Sequence, residues 1–229
     1  MQDLIQQEQF ELEVLDRLQS GKFLSRLAFG GGTMLRLCFG LNRFSVDLDF
    51  WIIKDIDVKI FFRSLKEYLS AYYDLRDAAN KFYTILFELR SKDYPRSLKI
   101  EIRKIKPGVK TEPAIAYSPY ATKQVLLSII TLEQMMMTKT AALIGRKEIR
   151  DAFDIEFLLK KGIKLNAPAE TLQKGAAVIN AFTKKDYTVK LGSLLEEAQR
   201  KYYIRENFKI LQMAIQEKLS NDAEAEISS

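Results

Sequence analysis

Histidine is absent from these 229 residues. That removes Ser-His-Asp and Cys-His nucleophilic catalysis, histidine-ligated zinc and histidine general-base chemistry. Cysteine occurs once, at Cys38, which excludes an intramolecular disulfide framework and a thiolate zinc site and fits a reducing cytosol. No apolar run approaches the roughly 20 residues needed to cross a bilayer. The first stretch, MQDLIQQEQFELEV, is polar and acidic and is not expected to be a secretory signal. An enzyme with this inventory works with carboxylates, hydroxyls, lysines and arginines. Such oxygen ligands suit hard cations, so magnesium chemistry is open to it.

What is present is a chain long enough for a sizeable core, with 47% hydrophobic and 29% charged residues, as in an ordinary soluble protein of the cytoplasm. The net charge is +6. The last ten residues, SNDAEAEISS, hold three acids and no base, so the rest is more basic than the total. A basic body favours phosphate-bearing partners.

Hydrophobic periodicity divides the chain into a mixed α/β part and a helical part. Residues 4–19 have helical apolar spacing ended by Ser20-Gly21. Residues 25–29 form a short strand running into Gly30-Gly31-Gly32, and 33–39 a helix ended near Gly40. VDLDFWII (46–53) reads as a strand of strong β formers, and 57–74 as one long amphipathic helix. Strands follow at 81–91 and 97–105, a turn at 106–110, and one or two more strands within 111–130. From 131 onward the pattern is helical to about 219. The expected fold is α+β: a mixed β-sheet core with helices, followed by a C-terminal helical bundle. The expected divisions are 1–130 for the core, 131–219 for a helical domain completing a cleft, and 220–229 for a disordered acidic tail.

The chemistry-bearing residues begin with Asp47 and Asp49. Strand side chains alternate faces, so the two point the same way while Val46, Leu48 and Phe50 point into the core. Two carboxylates about 7 Å apart on one strand face repel unless a cation lies between them. They are either a divalent-metal pair or two acids on a solvated edge. Gly-Gly-Thr at a helix start offers backbone N–H groups and a hydroxyl to phosphate, or is a tight turn capped by Thr33. In SLKIEIRKI, Leu98, Ile100 and Ile102 face one side, and Lys99, Glu101 and Arg103 the other. Glu101 is either a third metal acid or part of a self-neutralising face.

Lys139, Arg146 and Arg150 lie within roughly 20° of one helical stripe, provided the helix continues through Gly145. That stripe could hold a triphosphate or be a solvated face. Arg150 and Asp154 suit an i, i+4 salt bridge, and Asp151 could orient Lys139 or Arg146 across the turn. The Met135–Met137 run reads as core filling, and Cys38 as a buried small hydrophobe. Tyr72-Tyr73 and Tyr202-Tyr203 read as helix packing ahead of base stacking.

Together, GGTMLRLCFGLNRFSVDLDF, KIEI and KTAALIGRKEIRDAFD resemble the nucleotidyltransferase superfamily that includes DNA polymerase β. Within it they look like the AbiEii/AbiGii toxins of bacterial toxin–antitoxin and phage-defence (abortive infection) systems. The resemblance covers roughly residues 25–160. It implies that Gly32 and Thr33 hold the β- and γ-phosphates, that Asp47 and Asp49 bind Mg2+ with Glu101 as third acid, and that Lys139 contacts nucleotide phosphates. Asp151 and Asp154 belong to the last motif, Arg43 and Ser45 brace the metal strand or touch phosphate, and Arg146 and Arg150 are supporting cations. The implied reaction moves a nucleoside monophosphate from a nucleoside triphosphate to an acceptor hydroxyl, with one or two magnesium ions. The tRNA 3′ end is the foremost acceptor, and a cognate antitoxin is the expected protein partner. Two other readings compete: an antibiotic-modifying nucleotidyltransferase, whose pocket should be acidic, and a non-catalytic nucleotide-binding protein with a relic site.

Overall fold

The computed structural model describes residues 1–104 and 108–227. Part of the turn expected at 106–110 therefore lies outside the described residues, as do the last two residues of the tail. The chain divides into two compact units, Met1–Thr131 and Leu132–Ser229.

In the first unit, helix α1 (Gln2–Ser20) precedes strand β1 (Leu27–Gly30), helix α2 (Gly31–Phe39), strand β2 (Asp47–Ile52) and helix α3 (Val58–Ser70). Strands β3 (Asp74–Asn80), β4 (Thr84–Arg90), β5 (Leu98–Arg103), β6 (Thr111–Ala116) and β7 (Val125–Ile130) complete it. All seven strands share one sheet, in the order β3-β4-β5-β2-β1-β7-β6. The sheet is mixed: β2 runs parallel to β5, and β1 parallel to β7, while the other neighbours are antiparallel.

Strand alternation gives this sheet its sidedness. Leu48 and Phe50 of β2, Ile85, Phe87 and Leu89 of β4, and Leu98, Ile100 and Ile102 of β5 are all completely buried. Helices cover that face. Phe10 of α1 stacks on Tyr94 at 4.5 Å, and Phe62 of α3 stacks on Phe87 at 5.4 Å. Burying a side chain of this size contributes about 1.5–3 kcal/mol, so this layer supplies the first unit's main cohesion. The opposite residues of β4 (Thr84, Leu86, Glu88 and Arg90) are only half-buried, which leaves a second, open face.

Local chemistry sets the ends of α2 and α3. Gly40 closes α2 with φ 75°, and the amide of Leu41 donates to the carbonyl of Leu35 at 3.0 Å, the left-handed end that glycine allows. Asp57 caps α3 by accepting from the amides of Lys59 and Ile60. The helix expected over 57–74 stops at Ser70, and a strand absent from the sequence reading, β3, follows. Its sequence DLRDAAN is poor in β formers; pairing with β4 across a bulge between Leu75 and Asp77 holds it in the sheet.

The second unit is helical: α4 (Leu132–Arg146), α5 (Ile149–Lys160), α6 (Ala169–Asn180), α7 (Glu197–Glu206) and α8 (Lys209–Ile227), with a π-helical turn at Asp186–Leu191. Buried Glu156 joins three of them. Its carboxylate accepts from the Tyr203 hydroxyl at 2.9 Å and from the amide of Leu211 at 3.2 Å. Tyr203, like Tyr73 with its hydroxyl on Glu13, is thereby a packing residue. Helix α8 continues to Ile227, into the stretch for which disorder was expected. No helix among the described residues is long and apolar enough to cross a membrane.

Candidate active site

Asp47 and Asp49 occupy the open face of β2, both half-buried, with the core-facing Leu48 between them. The parallel pairing of β2 with β5 puts Asp49 directly opposite Glu101, and Asp47 opposite Lys99. Adjacent strands are about 4.8 Å apart, so residues in register project from one face as neighbours. Three acids separated by 54 residues of sequence, from Asp47 to Glu101, thus share one sheet face.

The glycine turn abuts these acids. Gly30 is the register partner of Asp49, and α2 begins immediately afterwards. Gly31 has φ +76°, and a Cβ built there would lie 2.8 Å from the Asp49 carboxyl carbon. Only glycine tolerates both the backbone angle and the close approach. Gly32 packs in the same way against its neighbours: a Cβ there would lie 2.9 Å from the Ser45 hydroxyl and against the Arg43 guanidinium. Arg43 is buried and donates to the carbonyl of Phe44 at 2.9 Å, which makes it a brace beneath the turn.

Thr33 is the third residue of α2, not its cap; Gly30 occupies the cap position. The Thr33 side chain is completely buried, and its hydroxyl donates to the backbone carbonyl of Asp47 at 2.6 Å. The hydroxyl for which a phosphate contact was expected makes a bond that fixes the start of the acid-bearing strand. Gln7 of α1 adds to the same anchoring, donating to the carbonyls of Val46 and Ser97 at the entries of β2 and β5.

Glu11 of α1 is a functional candidate outside the sequence motifs. It is completely buried, and neither carboxylate oxygen has a hydrogen-bond partner. Burial pushes its carboxyl well above the ordinary value; the charges of Glu8 and Asp47 push it further, and Arg36 opposes them. The signal was legible: Glu11 stands where the helical period of Leu4, Leu15 and Leu18 calls for an apolar residue. Gly31 was also missed, because sequence does not say which of three glycines takes the positive φ. Trp51 and Arg103 follow Asp49 and Glu101 by one alternation on the same face, with the Arg103 guanidinium 5.7 Å from the Trp51 ring.

The second unit holds the remaining expected residues. The Lys139 ammonium contacts Asp154 at 2.6 Å and Asp151 at 3.4 Å. Arg146 grips both oxygens of Asp151, at 2.7 and 3.0 Å. Asp151 and Asp154 are completely buried and Lys139 nearly so, whereas Arg146 is half exposed. The continuous cationic stripe through Arg150 does not form. Helix α4 ends at Arg146, Lys147 takes φ 55°, and α5 starts a new axis at Ile149. Asp154 accordingly meets Lys139 instead of serving only the i, i+4 partner expected of it, and Arg150 is an exposed residue of α5.

Among the described residues no three carboxylates converge tightly enough to ligate an ion by themselves. Magnesium is commonly held by one or two carboxylates together with substrate phosphates. The donor set here, Asp47 and Asp49 with Glu101 alongside, consists of the hard oxygens such an ion takes. Cys38 is no rival ligand, because burial pushes its thiol up to about 12.

Comparison with known proteins agrees with this arrangement. The family described as "Nucleotidyl transferase AbiEii toxin, Type IV TA system" matches residues 13–226. That match extends well beyond the motif-bearing stretch in both directions. The crystal structure of JHP933 from Helicobacter pylori is similar with a TM-score of 0.55 at 24% identity, covering 96% of each chain. A second H. pylori structure, of a protein assigned by inference as a nucleotidyltransferase, is similar with a TM-score of 0.53 at 22% identity. It covers 93% of this chain and 96% of that one. At these identities both likenesses speak to the fold. The search of curated proteins gave no match.

Proposed function

This chain belongs to the AbiEii nucleotidyltransferase toxin family, and from that premise we propose that it transfers a nucleoside monophosphate from a nucleoside triphosphate to the 3′ end of tRNA, in the cytoplasm, as the toxin of a toxin–antitoxin pair. The observation that carries the reading is the register of Asp49 with Glu101, on the same face as Asp47 and beside the start of α2.

In this reading Asp47 and Asp49 hold magnesium, with Glu101 next to them. The ion, when bound, supplies neutralisation of the triphosphate charge. The amides at the start of α2 face the phosphates, a position where a helix N-terminus favours negative charge. The acceptor hydroxyl oxygen bonds to the α-phosphorus, the bond from that phosphorus to the bridging oxygen breaks, and pyrophosphate leaves. Glu101 or Asp49 takes the hydroxyl proton. No step calls for histidine. Thr33, Arg43 and Gln7 keep the acid strand and the glycine turn in place. Lys139 is the residue proposed for phosphate contact in the second unit, with Asp151 and Asp154 fixing its ammonium and Arg146 and Arg150 as further cations. The basic body supports a nucleic-acid acceptor over a cationic drug.

The test is direct. The protein is incubated with each labelled nucleoside triphosphate, Mg2+, and tRNA, protein extract or an aminoglycoside. Label entering tRNA alone supports the reading. Label in the drug or in protein replaces the acceptor. Absence of transfer to any of them, with Asp49→Ala and wild type binding nucleotide and metal equally, overturns the catalytic assignment.

A further inference from the structure

The rim of the acid face carries a feature that the transfer chemistry leaves unused. Strands β3 and β4 are joined by a hairpin whose tip is Lys81-Phe82-Tyr83. Phe82 and Tyr83 are 83% and 78% exposed, the highest values among the large hydrophobic side chains described. A hairpin needs turn residues at its tip and gains nothing from two solvated rings. The rings are held as a pair, edge to face at 4.6 Å.

Cations surround them. The amide of Lys104 donates to the Tyr83 carbonyl at 2.9 Å, and its ammonium contacts the Lys81 carbonyl, so the hairpin tip is fastened to the end of β5. Arg103, opposite Thr84, points to the acid face two residues beyond Glu101. Glu101 is itself opposite Leu86, so Tyr83, the residue before β4, lies three positions from the acid row, about 10 Å. The end of the sheet next to the acid row therefore carries two solvated aromatic rings and three cations, of which Arg103 lies on the acid face itself.

We propose that this rim binds single-stranded RNA and leads its end onto the acid face, with bases stacking on Phe82 and Tyr83 and phosphates meeting Lys81, Arg103 and Lys104. The proposal deepens the RNA-acceptor reading and rests on it. Stacking on aromatic rings accepts any base, and cations beside the rings track the backbone, the combination single-strand binders use. Arg103, planar and lying over Trp51, presents its donors as a fork that fits phosphate. A protein partner would cover the rings too, but gains less from cations fastened among them.

Fluorescence anisotropy of a short labelled single-stranded RNA, titrated with the intact protein, tests it. Phe82→Ala/Tyr83→Ala should weaken binding at least about tenfold. Lys81→Gln/Lys104→Gln should lower the slope of log affinity against log salt by about one to two. The aromatic variant should keep the wild-type unfolding midpoint, since both rings are solvated. In the transfer assay KM for RNA should rise while KM for the nucleoside triphosphate stays put. Unchanged RNA affinity in the aromatic variant, loss of antitoxin binding in its place, or a wild type that binds no RNA overturns the proposal. Wild-type transfer to tRNA with an unchanged RNA KM in the variants removes the rim and leaves the acceptor reading standing. Rim-dependent RNA binding without any transfer to RNA keeps the rim and removes that reading.

Discussion

The backbone of Gly31 lies against the carboxylate of Asp49, so closely that a Cβ on Gly31 would stand 2.8 Å from the carboxyl carbon. Gly40 offers a matched control: its φ is +75° against +76° for Gly31, and nothing lies within 4 Å of a Cβ built on it. Alanine at either position pays the left-handed backbone cost of about 1–2 kcal/mol. Only Gly31→Ala must also displace Asp49. Chemical unfolding should therefore show a comparable loss at Gly40 and at least as large a loss at Gly31. Transfer activity should fall on the order of 100-fold in Gly31→Ala, the usual consequence of misplacing a reacting group by about 1 Å. Gly40→Ala should retain it.

Asp49→Asn keeps the shape and removes the charge. Because Asp49 faces Glu101 across β2 and β5, the change also relieves repulsion between neighbouring acids. The variant should fold, with its melting temperature recorded beside the assay, and lose on the order of 10²–10³-fold in transfer rate. In cells, expression without antitoxin should slow growth for wild type and not for this variant. A variant equally toxic at equal abundance would count against the assignment of Asp49.

Lys139 calls for a different design, because its ammonium sits between two completely buried aspartates. Removing one partner from a buried ion pair costs about 3–5 kcal/mol. Lys139→Met should show a loss of that size in urea unfolding. Lys139→Met/Asp154→Asn should recover part of it, because one of the two buried negative charges facing Lys139 is gone. Arg146→Ala, which withdraws a half-exposed partner from Asp151, should cost about 1 kcal/mol or less. Relief of toxicity by Lys139→Ala is thus interpretable only beside a folding measurement.

The elements that alternate strictly were legible in the sequence. β2, β4 and β5 are written in apolar residues at every second position, and that alternation alone placed Asp47 with Asp49 on one face of β2, and Glu101 with Arg103 on one face of β5. It could not set the strands beside each other; the register of Asp49 with Glu101 comes from sheet pairing. β3 was not legible, since DLRDAAN carries no β signal and is held by its neighbour. The stripe through Arg150 required the helix to run on past Gly145 without a turn, and Lys147, a residue that seldom adopts positive φ, makes a break instead. That break turns α5 so that Asp154 meets Lys139, and the inferred stripe through Arg150 is lost. Thr33 was assigned by its motif to phosphate, while the local geometry sends its hydroxyl to the Asp47 carbonyl.

Glu11 gives the fold a pH dependence whose sign can be worked out. In the folded chain burial and the charges of Glu8 and Asp47 hold its carboxyl well above the ordinary value of 4.5. The folded form therefore keeps the proton through a range where the unfolded chain has released it. Fewer protons on the unfolded state mean that stability falls as pH rises. The fall begins near 4.5 and continues up to the raised folded value, above which this group adds no further slope. Glu11→Gln preserves the shape and cannot ionise. Thermal or urea unfolding across pH 4 to 8 should find the two proteins close to equal at the acid end, with the variant gaining on wild type as pH increases. Asp47→Asn removes one of the charges that raise Glu11, so in that background the gain from Glu11→Gln should shrink. A gain that stays constant with pH would mean that Glu11 titrates alike in both states.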